Sequence, residues 1–113
     1  MATIYRIQDK DGRGPFKPDF SKNWVRDRPD YVNLKPMYNH DIKLEDGLHH
    51  GIGCLTAKEL KRWFTEKEYE ILRTYGYCCK KIQGVKIIKR DKVQVLFSRE
   101  LPLSKKTVSV RLY

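Results

Sequence analysis

The chain has 113 residues, room for one modest domain and not for a two-domain enzyme. Hydrophobic residues make up 40% and aromatic residues 12%, enough to build a core, which excludes a disordered chain despite 34% charged residues. Twenty-four Lys and Arg against 14 Asp and Glu leave a formal charge of +10, the balance of a protein whose partner is anionic: nucleic acid or a phosphate-bearing ligand. We read residues 1–113 as a single domain.

Thr3-Ile4-Tyr5-Arg6-Ile7 alternates and is rich in β-branched and aromatic side chains, which predicts a first strand. The run from Asp9 through Gly12 and Gly14 to Pro15 ends it, because glycine permits positive φ and proline fixes φ. Over residues 16–47 no period is sustained. Pro18, Pro29 and Pro36 interrupt it, and Phe20, Trp24, Tyr31 and Tyr38 are scattered through it. It reads as a long aromatic-rich loop with room for one short helix or strand, and loops of that length are commonly functional.

Thr56-Ala57-Lys58-Glu59 and Thr65-Glu66-Lys67-Glu68 each have the form of a capping box, in which Thr and Glu satisfy each other's backbone N–H groups. Leu60 and Phe64 share a face of the first helix, with Trp63 beside them. Tyr69, Leu72 and Tyr75 share a face of the second, until Gly76 stops it. Beyond Gly76 the pattern predicts strands over 77–83, 85–90 and 93–97, separated by Gly84 and by Asp91-Lys92. Over 107–112, Val108, Val110 and Leu112 alternate with Thr107, Ser109 and Arg111. The order predicts an α+β fold: a small, mostly antiparallel sheet with two short consecutive helices and a long aromatic-rich loop.

Charge is concentrated at the end of the chain. Residues 77–113 carry ten Lys and Arg against only Asp91 and Glu100, so they hold +8 of the +10. Lysines on a sheet also protect its edges, but a surface that is merely soluble interleaves both signs. The asymmetry therefore makes Lys80, Lys81, Lys86, Lys89, Arg90, Lys92, Lys105 and Lys106 candidate nucleic-acid- or partner-binding residues. Such contacts reach phosphates and carry little sequence selectivity. Tyr77 and Phe97 continue an apolar face and read as core rather than as platforms for bases.

Cys54, Cys78 and Cys79 are odd in number and two are adjacent, a poor disulfide framework that points to a reducing compartment. With no secretion signal and no apolar run of bilayer length, the expectation is a cytoplasmic protein with no membrane partner. Zinc needs four ligands at spacings absent here, and adjacent strand cysteines face opposite sides. The cysteines therefore read as small hydrophobes, and no metal is expected. Cys54 with His49 or His50 is close enough in sequence for a nucleophile pair.

Tyr5-Arg6-Ile7, Gly12-Arg13-Gly14-Pro15-Phe16, Leu60-Lys61-Arg62-Trp63-Phe64, Gly76-Tyr77 and the Val93-Gln94-Val95-Leu96-Phe97 strand resemble a group of small bacteriophage and prophage proteins. That resemblance covers most of the chain outside residues 17–48 and implies a phage protein acting in the host cytoplasm. Tyr5-Arg6 on a first strand is also similar to the start of the ADP-ribosyltransferase-like fold, where such an Arg contacts a dinucleotide phosphate. This second resemblance implies phosphate-binding roles for Arg6, Gly12, Arg13 and Gly14, with NAD as the cofactor. It also makes Cys54-Leu55-Thr56 the counterpart of a Ser/Thr-bearing strand. The family's catalytic glutamate has no counterpart: Gln94 cannot act as a carboxylate base, and Glu100 lies beyond that strand. No residue is assigned a catalytic role.

Two functions follow. The favoured one is a basic phage-type binding or inhibitory protein, without cofactor, that docks through its positive residues on nucleic acid or on a host nucleoprotein such as a defence complex. The alternative is a minimal NAD-binding transferase that modifies a host target. Under the alternative, Arg6→Ala is expected to remove one phosphate contact and leave the fold intact.

Overall fold

The computed structural model describes residues 1–15 and 45–113. Their elements are, in chain order, β1 (Ala2–Gln8), β2 (His49–Gly53), α1 (Ala57–Trp63), α2 (Glu66–Thr74), β3 (Cys78–Arg90), β4 (Val95–Arg99) and β5 (Thr107–Ser109). This is the expected α+β class: an antiparallel, curled five-stranded sheet with two consecutive short helices. The aromatic-rich stretch lies, over residues 16–44, outside the described residues.

β3 organises the sheet. Its first half pairs with β1, setting Arg6 opposite Lys80, and also with β5, setting Lys80 opposite Ser109. Its second half pairs with β4, which in turn pairs with β2. The expected break at Gly84 is not there: β3 runs for 13 residues, and Gly84, at φ +74°, bends it without ending it. A residue with a Cβ would resist that φ, whereas glycine adopts it freely. A register shift between Ile87 and Lys89 marks a further irregularity in the pairing with β4. The curl carries the sheet nearly round on itself. Tyr5 of β1 and Cys54, just past β2, exchange both backbone hydrogen bonds at 2.7 and 2.8 Å.

Three other strand expectations change. β2 is added to the expected set; its Gly51 and Gly53 dilute the alternation by which a strand is recognised. β4 begins at Val95 rather than at residue 93, because the Asp91 carboxylate accepts the N–H groups of Val93 and Gln94 at 2.8 and 2.9 Å and extends the turn. β5 covers only three residues, and Val108 stands 55% exposed instead of joining Leu112 in the core.

The helices are set by their caps. Thr65 and Glu68 form a complete capping box before α2, with bonds of 3.2 and 2.9 Å. At α1 the box is displaced: Thr56 accepts from the Glu59 N–H, but the Glu59 carboxylate reaches the N–H of Leu55. α2 closes when Tyr77 N–H returns to Leu72 O and Gly76 N–H to Arg73 O, with Gly76 at φ +90°. Tyr75 is 47% exposed and leaves the apolar face to Tyr69 and Leu72. The buried residues fall into two clusters. One joins α1 and α2 to Ile7, Cys79 and Leu112; the other fills the inside of the β3 bend with Ile4, Ile82, Val85, Val95 and Phe97.

Candidate nucleic-acid interface and neighbouring cavity

Arg6 lies inside the curled sheet, 6% exposed. Its Nε donates to Gln8 Oε1 at 2.9 Å, Nη1 to Ile52 O at 2.8 Å and Nη2 to Gly12 O at 2.8 Å. The guanidinium also lies 5.6 Å from the centre of the Phe97 ring, within cation–π range. Gly51 makes this possible, since a Cβ there would collide with Nη1 and stand 2.9 Å from Cζ. Arg6 is thus a tie joining β1, the Gly12 turn and β2. The expectation that Arg6→Ala would leave the fold intact is corrected accordingly, because the side chain is a core group with three protein acceptors.

The other residues of the phosphate reading sit beside it. Arg13 is drawn to acids, with Nε 2.9 Å from Asp9 and Nη2 2.7 Å from Asp11. Asp9 also accepts the N–H groups of Asp11 and Arg13, and those bonds hold its carboxyl below the usual carboxylate range against the opposing effect of burial. Gly12, at φ +78°, packs against Leu103 and His49, and Gly14 runs past Arg6 Nη2. Arg6, Gly12, Arg13 and Gly14 are therefore together, on one wall of a cavity of about 650 Å³. Ile52, Leu60, Trp63 and Phe64 supply apolar walls, and His49 and Gln94 also line it.

Burial and the Arg6 charge lower His49 to about 4, so its imidazole is neutral at pH 7. With Nε2 3.2 Å from Gly12 O, that nitrogen carries the proton, and the buried Nδ1 has no partner. Burial pushes the Cys54 thiol up to about 12, and it points to Val93 O at 3.5 Å. Cys79 is likewise pushed up to about 12, by burial first. A protonated thiol aimed at a carbonyl is no activated nucleophile, so the structure does not assemble Cys54 and a histidine into a pair. Among the described residues, no group of three or more His, Cys, Asp or Glu could hold a metal ion, and no helix is long and apolar enough to cross a membrane.

The cations of residues 77–113 divide by what they touch. Arg99 is internal, 4% exposed, and holds Thr107 and the carbonyls of Pro102 and Lys105. Lys80, half-buried, bonds Ser109 at 2.6 Å, and Lys81 beside it is half-buried too. Lys86 meets Glu45 and Lys105 meets Glu100, both at 3.3 Å. Lys106 lies over the Gly84 bend. Lys89, Arg90 and Lys92 differ: they crown the β3–β4 hairpin, fully exposed, and among the described residues their charged groups make no hydrogen bond or ion pair. Asp91 stands among them, but its carboxylate is engaged by Val93, Gln94 and the Gln94 amide.

A protein-family model described as Bacteriophage T4 Y00F protein matches residues 1–111. The chain belongs to that family. No curated protein and no solved structure matches it. The phage resemblance thereby holds at the level of the family, while the ADP-ribosyltransferase-like one gains no support from these comparisons.

The hairpin and the cavity adjoin. Trp63 Nε1 and Cys54 Sγ both donate to Val93 O, and Gln94 lines the cavity while its amide holds Asp91. The apolar walls went unread in the sequence as a site, because Trp63 and Phe64 look like any helix core face. The usable signal was Gly51 and Gly53, two glycines where a strand would carry side chains.

Proposed function

We propose that this phage protein is a non-catalytic binding protein that docks on nucleic acid phosphates through its β3–β4 hairpin in the host cytoplasm. The carrying observation is that Lys89, Arg90 and Lys92 are exposed and without an internal partner, while other cations of the same region are buried or paired. An unpaired ammonium or guanidinium in solvent gains phosphate contacts and releases condensed counterions without breaking anything in the protein. Occupying nucleic acid in this way, bare or within a host nucleoprotein, occludes it and requires no catalytic acid. The NAD-binding alternative is not adopted. The Arg6 nitrogens already donate to three protein acceptors, and β4 carries no carboxylate.

Binding to a short oligonucleotide across a salt series tests this. Three phosphate contacts give log K against log salt a slope of about −2 to −3. Lys89→Glu, Arg90→Glu and Lys92→Glu together abolish that binding, whereas Lys10→Glu with Lys67→Glu leaves most of it. No binding at low salt, a flat salt response or equal loss in both variants overturns the reading.

A further inference from the structure

We infer that the cavity beside the hairpin receives one base of a single-stranded nucleic acid whose phosphates lie on Lys89, Arg90 and Lys92. This rests on the proposed hairpin docking and names its substrate class. The cavity, about 650 Å³, falls in the size range of small-ligand sites, roughly 300–1,000 Å³. Its walls are apolar at Ile52, Leu60, Trp63 and Phe64, and polar at Gln94. A nucleobase has the matching chemistry, two apolar faces and a polar edge. The charge is placed to match as well: Gln94 is two residues from Lys92, and the turn between them is fixed to the cavity wall through Val93 O.

That arrangement separates single strands from duplexes. In a duplex each base is paired and stacked, and delivering one to a cavity costs a few kcal/mol in unstacking. A single strand offers its bases with little of that penalty, and a base held against an aromatic wall adds about 1–3 kcal/mol of affinity. Phosphate contacts alone make no such distinction.

The experiment compares an oligothymidylate, an abasic strand of the same length and phosphate charge, and a duplex of that length. Binding to the wild-type protein at fixed salt is measured for each, with Trp63 fluorescence followed in a Trp24→Phe variant. The base-bearing strand is expected to bind about tenfold tighter than the abasic strand, with the same salt slope, and to change the Trp63 emission. Equal affinity for the base-bearing and abasic strands overturns the cavity inference and leaves hairpin docking standing. Tighter binding to duplex overturns it likewise. Failure of all three probes to bind removes the hairpin reading itself.

Discussion

Arg6 and Arg90 stand on strands of one sheet and carry the same charge, yet their surroundings give them opposite roles. Arg6 is 6% exposed, and its nitrogens are claimed by Gln8, Ile52 and Gly12. Arg90 closes β3 in full solvent and holds nothing. A buried cation persists only where the fold supplies acceptors in fixed positions, so the chain around it is committed to it. An exposed one is held by water alone and is free to exchange water for phosphate. Arg99, 4% exposed, belongs with Arg6. The formal +10 therefore overstates what a partner meets, and the cations facing outward without a protein partner matter more than the total.

The sharpest break of this comparison is Arg6→Met, which keeps most of the volume and removes the donors. Three acceptors lose their partner, at about 1–3 kcal/mol for each that stays dry, so a loss of roughly 3–5 kcal/mol is expected. Urea denaturation measures it. A loss below about 1 kcal/mol would return Arg6 to the surface-like class of Arg90.

Gly51→Ala attacks the same tie from outside. The new methyl meets Arg6 Nη1 and stands 3.1 Å from Phe97 Cε1, and Arg6 cannot swing away without releasing Ile52 O. Overpacking of this kind costs about 2 kcal/mol. The paired variant Gly51→Ala with Arg6→Met is expected to lose less than the sum of the two, because the group that was struck has gone.

Much of this architecture was legible in the sequence, for local reasons. The Thr65 capping box, the Gly76 stop and the Asp91 turn are short-range patterns, each satisfied by neighbours a few residues away. Gly84 was legible as a special conformation but not as a bend within one strand, since only the partner strands on both of its sides decide that. The role of Arg6 was not legible at all. Its acceptors come from positions 8, 12 and 52, and nothing at residue 6 announces that Ile52 will return beside it. At the hairpin the reverse holds: exposure needs no distant partner, and the run of cations around Asp91 spoke for itself.

Acid tests the buried side more gently. His49, lowered to about 4 by burial and the Arg6 charge, has a folded-state value below that of the unfolded chain, near 6.5. Unfolded molecules therefore take the proton first, and stability is full above pH 6.5 and falls as pH drops towards 4. A fall of about 1–2 kcal/mol is expected, reduced from the full shift because the ring is partly solvated. His49→Gln, which keeps a donor for Gly12 O, should flatten the curve in that window. An unchanged curve would mean that no second cation is being resisted beside Arg6. The lowered carboxyl of Asp9 does not confuse the result, since its contribution is lost only as pH falls below about 3.8.

The smallest expected effect on stability belongs to the hairpin, and its smallness is the point. Lys89→Gln, Arg90→Gln and Lys92→Gln each remove a charge that bonds nothing among the described residues, so each should shift stability by no more than about 0.5 kcal/mol. Glutamine keeps the turn chemistry intact, because the carboxylate that shapes it is Asp91. The triple variant should unfold at the wild-type urea concentration while its oligonucleotide affinity collapses at low salt. A variant that lost stability together with binding would show these cations to be part of the scaffold, as Arg6 is, and the contrast between the two ends of the sheet would vanish.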